Sequence, residues 1–285
     1  MKPTRERLKS PPQLTAFDEA ILRGNNHDMP ERLQALLAKA NEAYHAVGFP
    51  SRKQEAWKYV NLSALAAQPL PYLLPSHFHA NAIEFTSAWP KEWPAVVALN
   101  GRVMNSPLPE GVTLLSPTQS SDEILALAGL SEAALNQNTD AFSLLNACGV
   151  LQGNVAGPVW VVDSNAPNTP MVFDWSTLSN EAPGQNALRG TVVIKEQAQA
   201  TLVVDLTSMG FSPLSLSNHH LSLVVEAHGE LDVVVIQDSQ TTGHMSMGKS
   251  ATQPMAHARC TSYHLNLGPR HLSHQFRVSP PCGRQ

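Results

Sequence analysis

The first third of the chain carries apolar residues at helical spacing. Within residues 31–47 they recur every three or four positions, which is typical of a helix with one buried face; they are Leu33, Leu36, Leu37, Ala40, Tyr44 and Val47. Asp28, followed three positions later by a glutamate, is a suitable N-cap, and Gly48 is suitable for ending the helix. The same reasoning predicts a short second helix over residues 54–61 and a third over residues 131–147.

The periodicity changes after Pro158, where apolar residues occupy every second position of several short segments. Alternation of this kind predicts strands with one buried face. The alternating positions are Ala198, Ala200, Leu202, Val204, Leu206, Leu221, Leu223, Val225, Ala227, Leu231, Val233, Val235, Tyr263, Leu265, Leu267, Leu272, Phe276 and Val278. We therefore place a boundary near residues 150–158, with a helical and loop region at 1–150 and a strand-rich core at 151–285. No repeat of fixed length is visible in the sequence.

Two architectures produce this alternation. Short strands at close spacing most often form an antiparallel sandwich. A parallel β-helix also points successive side chains alternately inward and outward, so periodicity does not separate the two. Residues 66–118 are rich in proline and tryptophan, and we expect loops there with short strands at Ala95–Leu99 and Val112–Leu115.

Composition narrows the range of functions. The chain has 285 residues, with 19 Lys plus Arg and 23 Asp plus Glu, so its formal net charge is −4. A nucleic-acid-binding domain usually has a basic surplus, which is missing here. No apolar segment reaches the roughly 20 residues of a membrane span, and no apolar segment follows the charged residues 1–10. We therefore expect neither a membrane protein nor a secretory signal.

The three cysteines, Cys148, Cys260 and Cys282, lie far apart in the sequence. Their odd number and wide spacing favour a reducing cytoplasm over a disulfide framework. Because there is no CxxC motif, the sequence predicts no closed zinc or iron–sulfur ligand set. Cys148 follows an apolar helical segment, and we expect it to be a small buried residue.

Histidines are concentrated late in the chain, where eight of the twelve lie between residues 219 and 274. Three pairs have the residue types that bind zinc or iron; they are His219 with His220, His257 with Cys260, and His271 with His274. A metal site needs three or four convergent ligands, and no carboxylate follows Asp238. Alternation along strands would also point neighbouring histidines to opposite faces. We therefore expect polar, solvent-facing residues and no metal site.

The sequence gives weaker support for other kinds of functional site. Five basic residues follow Asp238, namely Lys249, Arg259, Arg270, Arg277 and Arg284, and this spacing is too sparse for a phosphate or nucleic-acid surface. GxSxG, P-loop and GxGxxG motifs are missing, and Gly149, Gly153 and Gly157 precede a strand instead of a helix. Carboxylates do not cluster on the predicted strands, so we expect no glycosidase or pectate-lyase site.

Residues 48–65, GFPSRKQEAWKYVNLSAL, form the most distinctive segment. Gly48, Phe49 and Pro50 predict a turn, and the charged residues after them predict a short helix. We expect Trp57 and Tyr59 to be packing aromatics, with the tryptophan filling a gap in the core.

This segment also resembles the N-terminal signature of the SufD proteins, which belong to the SufB/SufD family of iron–sulfur cluster assembly factors. The matching positions are Gly48, Pro50, Arg52, Glu55, Trp57, Lys58, Tyr59, Asn61 and Leu62. Later segments resemble the same family in the same order: residues 95–119, the FSLLNA segment at 142–147, and residues 190–205 followed by 221–237.

The resemblance implies an α+β fold, with a helical N-terminal region and a right-handed parallel β-helix. It implies a non-catalytic subunit of the SufBCD complex, which pairs with SufB and binds the ATPase SufC through C-terminal helices. The iron–sulfur cluster would belong to the complex, and no catalytic, cofactor-binding or metal-binding residue is carried over to this chain. The sequence after residue 270 departs from the family, so we expect truncation before the C-terminal helical domain. The alternatives are an inactive fragment and a β-helix enzyme acting on polysaccharide.

Overall fold

The computed structural model describes residues 15–16, 29–72, 89–99, 102–103, 108–115, 121–152, 159–179, 184–210, 215–238, 244–267 and 272–278. The fold is mixed α and β, with mostly strands and few helices. The described helices of four or more residues are α1 Glu31–Val47, α2 Ser63–Ala66, α3 Asp122–Leu127, α4 Glu132–Gln137 and α5 Ala141–Gln152, and a 3₁₀ turn spans Glu55–Trp57. Within this described part of the chain, none of the helices has the length and apolar character needed to cross a bilayer.

The strands occupy most of the second half of the chain. They are β1 Ala95–Leu99, β2 Arg102–Val103, β3 Val112–Leu115, β4 Val159–Val162, β5 Met171–Ser179, β6 Gly184–Ile194, β7 Gln199–Asp205, β8 Ser208–Gly210, β9 Ser215–Val225, β10 Glu230–Asp238, β11 His244–Pro254, β12 Arg259–Leu267 and β13 Leu272–Val278. The short strands predicted at β1 and β3 are confirmed with the expected bounds.

The strands form two sheets, and the chain passes back and forth between them. The first sheet has the order β12-β10-β7-β5-β1-β2, with β8 also paired to β5, and the second has the order β13-β11-β9-β6-β4-β3. Neighbouring strands from β4 to β13 are parallel, while β1–β2 and β3–β4 are antiparallel. The antiparallel sandwich is therefore wrong for this core. Parallel strands need crossover connections, which the alternation between sheets supplies.

A structural repeat underlies the strand register, although the sequence alone shows none. Gln199, Glu230 and Arg259 lie side by side at the starts of β7, β10 and β12. Successive units are thus 31 and 29 residues apart. The repeat escapes sequence inspection because only every second residue of each strand is required to be apolar, and many apolar residues satisfy that requirement.

The turn before each of these three strands has the same conformation. Gln197, His228 and His257 all adopt left-handed backbone angles, with φ of 62°, 58° and 59°. Backbone hydrogen bonds continue from turn to turn: the Gln197 amide donates to the Ala227 carbonyl, and the His228 amide donates to the Ala256 carbonyl, both at 3.2 Å. The hydrogen-bonded ladder therefore extends past the strand ends and around the corner.

The space between the two sheets holds one hydrophobic core. Its inward-facing residues include alternate positions of β7 and β10, as the period-2 pattern predicted; they are Ala200, Leu202, Val204, Leu231, Val233 and Val235. Aromatic rings fill the core near β4 and β5, where Trp160 stacks on Phe173 at 3.9 Å between centroids. Gly190 makes room for this group, because a Cβ atom there would lie 2.4 Å from Cζ2 of Trp175.

A second core lies on the outer face of the second sheet, where helices pack. Helix α1 contributes Leu33, Leu37, Ala40 and Tyr44, and α5 is buried from Ala141 to Leu151. These side chains contact outward-facing residues of the sheet such as Val193, Leu216 and Val224. Residues on both sides of position 150 therefore share one core.

The helix predictions were partly correct. Helix α1 ends at Val47, and Gly48 follows with φ of 73°; the proposed cap Asp28 lies outside the described residues. The helix predicted over 54–61 is wrong, because only the single 3₁₀ turn Glu55–Trp57 forms there. The helix predicted over 131–147 is two helices, α4 and α5. Between them the Asn138 side chain accepts a hydrogen bond from the Asp140 amide, and the Asp140 side chain accepts one from the Ser143 amide in the first turn of α5.

Candidate functional site

A buried polar cluster lies where helix α5 meets the second sheet. Ser143 and Asn146 come from α5, Arg189 from β6, and Asn218 and His220 from β9. All five are buried. Even-numbered residues of β9 and odd-numbered residues of β6 face this helix, because alternate side chains of a strand point to opposite faces. The cluster therefore joins one helix to two adjacent strands.

Arg189 lies at the centre of the cluster. Its Nε donates to the Ala128 carbonyl at 2.8 Å, its Nη1 donates to Asn146 Oδ1 at 3.2 Å, and its Nη2 lies 3.4 Å from His220 Nδ1. Burial lowers the pKa of Arg189 to about 10, so the guanidinium remains charged at neutral pH. Hydrogen bonds from a buried charge offset part of the free energy lost on leaving water.

His220 is held in one neutral form. Burial, and next the charge of Arg189, lowers the pKa of its imidazole well below the usual value. Ser143 Oγ lies 2.9 Å from its Nδ1. Because an arginine can only donate, Nδ1 is the acceptor, and the ring proton of the neutral imidazole belongs on Nε2.

Asn146 ties the helix to both strands. Its Nδ2 donates to the Leu188 carbonyl of β6 at 2.9 Å and to the Asn218 carbonyl of β9 at 2.7 Å. Asn218 returns a hydrogen bond of 2.7 Å from its own Nδ2 to the Phe142 carbonyl. Asn146 is thus a donor to two strands and an acceptor for Arg189, which fixes the position of α5 along the sheet.

The chemistry available to this cluster is positioning, not catalysis. Ser143 and His220 have the residue types of a nucleophile and its base, but such a pair must meet a substrate. Both residues are buried, and His220 Nδ1 is already engaged by Ser143 and Arg189. We conclude that the cluster is a structural connection between the helix and the sheet.

The GFPSRKQEAWKYVNLSAL segment packs on the same helix. The ring centroids of Phe49 and Trp57 lie 6.1 and 5.1 Å from that of Phe142. Beside these rings, the segment encloses a cleft of about 400 Å³ that extends to Ala66. The prediction for Trp57 agrees with this contact. The prediction for Tyr59 is wrong: its side chain is 87% exposed and contacts solvent instead of the core.

His219 and His220, which the sequence analysis considered as possible metal ligands and rejected, do not converge. His219 and His220 point to opposite faces, as expected, with His219 Nε2 lying 3.2 Å from Gln237 Nε2 between the sheets. The expectation that they face solvent is wrong, since they are 2% and 7% exposed. His257 instead stacks on His228 in the neighbouring turn, with ring centroids 5.1 Å apart.

The candidate ligands His257 and Cys260, which the sequence analysis considered and rejected, are also separated. Cys260 lies next to Leu231 and faces the space between the sheets, whereas His257 is exposed at the corner. His274 lies in β13, and His271 lies outside the described residues. No cluster of three or more histidine, cysteine or acidic side chains that could bind a metal occurs in the part of the chain that the structure describes.

The late basic residues form no common patch where they are described. Lys249 Nζ lies 3.4 Å from Asp140 Oδ2 on the helical side, and Arg259 Nη2 lies 2.7 Å from Glu230 Oε2 on the first sheet. Arg277 lies in β13, while Arg270 and Arg284 lie outside the described residues. Lys249 and Arg259 thus have different carboxylate partners.

Two carboxylates do come together on the first sheet, contrary to the expectation from sequence. Asp174 and Asp205 are side by side in the β5–β7 register. Asp205 accepts hydrogen bonds from Trp89 Nε1 at 3.0 Å and from Thr207 Oγ1 at 2.5 Å, and Asp174 is buried. Asp205 therefore holds the Trp89 segment against the sheet.

Cys148 is buried, as predicted, and burial raises the pKa of its thiol to about 12. The adjacent Gly149 allows close packing with Tyr72, whose Cε1 would lie 2.2 Å from a Cβ atom there. Gly149 therefore allows α5 to pack closely against Tyr72. Gly153 and Gly157 lie outside the described residues.

Sequence reasoning did not single out Arg189 or Asn146. The signal for Arg189 was a charged residue inside the otherwise uncharged strand ALRGTVVI, since charged residues are rarely buried without partners. Asn146 is a polar residue within the apolar helix AFSLLNACGV, a pattern that indicates a buried hydrogen-bonding role.

The chain was compared with protein-family models and with curated proteins, and no match to either was found.

Proposed function

We propose that this chain is a SufD-like, non-catalytic subunit of the SUF machinery for iron–sulfur cluster assembly. In this proposal it works in the cytoplasm as part of a SufBCD complex, with SufB as its direct partner; the ATPase SufC is a further partner of full-length relatives. The cluster is the cargo of the complex. The observation that supports the proposal is that the separate segments resembling this family contact one another.

Those contacts form a continuous chain. Phe49 and Trp57, from the N-terminal signature, pack on Phe142, the first residue of the FSLLNA segment. Phe142 and Leu145 of the same segment share a buried cluster with Val193, which lies within the strand residues at 190–205. Motifs that together maintain one fold are expected to contact each other, as these segments do.

The strand arrangement supports the finer fold assignment, a right-handed parallel β-helix. Parallel neighbours, a chain that alternates between two sheets, and units of 31 and 29 residues are the features that such a fold needs. Crossovers between parallel strands are right-handed in nearly all proteins. In the proposal, these stacked units are the scaffold on which SufB docks.

The outer face of the first sheet offers a surface for SufB. Tyr263 and Leu265 on β12 are 59% and 49% exposed. In register beside them on β10 are Val234 and Ile236, which are half-buried. Contiguous exposed apolar side chains are typical of protein–protein contacts, and pairing with SufB would remove them from water.

The proposal is tested by co-expressing the tagged chain with SufB and SufC and purifying the complex without oxygen. We expect SufB to co-purify with the chain, and iron and sulfide to co-purify with the complex. Leu265→Glu should weaken SufB recovery at least fivefold, whereas Lys91→Glu, an exposed change on the β1 side, should not. Recovery of neither SufB nor SufC would instead identify the chain as an inactive fragment.

A further inference from the structure

We propose that the cleft formed by the GFPSRKQEAWKYVNLSAL segment binds a linear acidic peptide of a partner protein, with one apolar side chain of that peptide as the anchor. This binding site would be separate from the outer face of the first sheet. The proposal does not depend on the identity of the chain as a SufD-like subunit.

The cleft has the size and lining of a peptide-anchor site. Its volume of about 400 Å³ falls within the range of roughly 300–1,000 Å³ that is usual for ligand clefts. Phe49, Trp57 and Val60 supply apolar walls, and Ser51 and Asn61 lie at the same cleft. An apolar side chain could fill this space, and the polar groups could meet the peptide backbone.

The charge around the cleft selects an acidic partner. Residues 48–66 contain three cationic side chains and one acidic one, so the segment carries +2 on a chain whose net charge is −4. Arg52 lines the cleft, and Lys53 and Lys58 are exposed next to lining residues in sequence. Among the described residues, none of these three cations forms an ion pair with a carboxylate, and the carboxylates of an acidic peptide would supply the complementary charge.

An exposed aromatic residue extends this surface. Tyr59 is 87% exposed, and Lys58 Nζ lies 5.4 Å from its ring centroid. Tyrosine and arginine are enriched at interface positions that contribute strongly to binding. Tyr59 and Arg52 could therefore flank a bound peptide.

The cleft is built on a supported backbone. The Val60 amide donates to the Trp57 carbonyl at 3.1 Å, and the Ala66 amide donates to the Leu62 carbonyl at 2.9 Å. Asn61 Oδ1 accepts hydrogen bonds from the Ser63 amide and hydroxyl at 3.2 and 2.7 Å. A preformed site loses little conformational freedom on binding, which favours affinity for a short peptide.

The occupant is best matched by a peptide rather than by a nucleic acid. Three cations next to an apolar cleft suit a few carboxylates around one apolar side chain. Nucleic-acid sites instead have a basic surplus over a whole face, and this chain has an acidic net charge. The required partner is thus a protein segment with glutamate or aspartate on both sides of a phenylalanine, leucine or tryptophan.

The test uses fluorescein-labelled nine-residue peptides and the full chain. One set has a central Phe, Leu or Trp flanked by Glu and Asp, a second replaces the acids by Gln and Asn, and a third by Lys and Arg. Fluorescence anisotropy measures the Kd of each. We expect saturable binding of at least one acidic peptide in the micromolar range, weakened at least tenfold in the neutral and basic versions.

Two variants localise the binding. Arg52→Glu/Lys53→Glu/Lys58→Glu should weaken the acidic peptide at least tenfold, whereas Lys91→Glu/Lys195→Glu/Arg259→Glu, with the same charge change elsewhere, should weaken it less than threefold. Ala66→Phe should fill the cleft and also abolish binding while keeping the circular dichroism spectrum.

The proposal is overturned if no acidic peptide binds, if the neutral or basic peptides bind equally well, or if Ala66→Phe binds like the unchanged chain. Equal losses in both charge-reversal variants would also overturn it, since binding would then follow the net charge of the chain and not this cleft.

Discussion

Asn146 on helix α5 accepts a hydrogen bond from Arg189 on strand β6 across 3.2 Å, while its own amide donates to the carbonyls of Leu188 and Asn218. One side chain thus fixes the helix against two neighbouring units of the parallel core. We expect it to be among the most stabilising polar residues of the chain.

Asn146→Ala should lower the free energy of unfolding by about 3 kcal/mol, because it leaves buried carbonyls and a guanidinium nitrogen without their partner. Urea unfolding followed by circular dichroism measures this change. Gln68→Ala, at an exposed position, should change stability by less than about 0.5 kcal/mol. A loss below about 1 kcal/mol in the Asn146 variant would show that water replaces these hydrogen bonds.

The stability of the protein should fall as the pH is lowered through the range of His220. Burial, followed by the charges of Arg189, Lys249 and His219, lowers the pKa of this imidazole well below 6.5, so the unfolded chain takes up a proton that the native chain does not. The contribution of His220 is complete above about pH 6.5 and is lost below it, at up to about 1.4 kcal/mol per pH unit.

Unfolding free energies measured at several pH values between about 5 and 7.5 would test this expectation, the window following from the usual histidine pKa. His220→Gln should reduce the slope, whereas Gln68→Ala, an exposed change that removes no ionisable group, should leave it unchanged. If His220→Gln keeps the full slope, other groups dominate, such as His264, whose pKa is also lowered by burial.

Gly190→Ala should destabilise the core between the sheets. The new methyl group would lie 2.4 Å from Trp175 Cζ2, well inside contact distance, so the ring must move. Overpacking of this kind lowers stability by about 1–3 kcal/mol. Adding Trp175→Phe to Gly190→Ala should restore part of the loss, and a double variant no better than the sum of its single changes would contradict the proposed clash.

Cys148 should be unreactive in the native protein. Burial raises the pKa of its thiol to about 12, so only about one molecule in 10,000 carries the thiolate at pH 8, and that thiolate is inaccessible. In a Cys260→Ser/Cys282→Ser variant, iodoacetamide should label Cys148 only after urea unfolding, as mass spectrometry will show. Labelling of the folded variant at the rate of a free thiol would place Cys148 at the surface.

The alternation of apolar residues was sufficient to predict the strands and the buried faces of β7, β9 and β10. For β12 the predicted face was wrong, since Tyr263 and Leu265 are 59% and 49% exposed. Leu231, Val233 and Val235 are buried between the sheets as their spacing indicated. The pairing of those strands was not predictable, because Leu231 and its neighbour Ala200 are 31 residues apart and period-2 spacing carries no information about which strand lies alongside.

In the helical region, local sequence patterns do not predict which side chains pack in the core. Tyr59 lies in a segment with helical charge spacing, but only Glu55–Trp57 forms a turn and the ring faces solvent. The position of Trp57 depends on Phe142, which lies far along the sequence. Likewise, the polar character of Asn146 was visible in the sequence, whereas its three partners follow only from the way α5 packs on the sheet.

The aligned left-handed turn residues set the spacing of side chains along one corner of the fold. Gln197, His228 and His257 occupy one corner of successive units, and neighbouring parallel strands are about 4.8 Å apart. The exposed histidines already stack with ring centroids 5.1 Å apart. Side chains substituted at these three positions would therefore form a regularly spaced row along the corner, without altering either hydrophobic core.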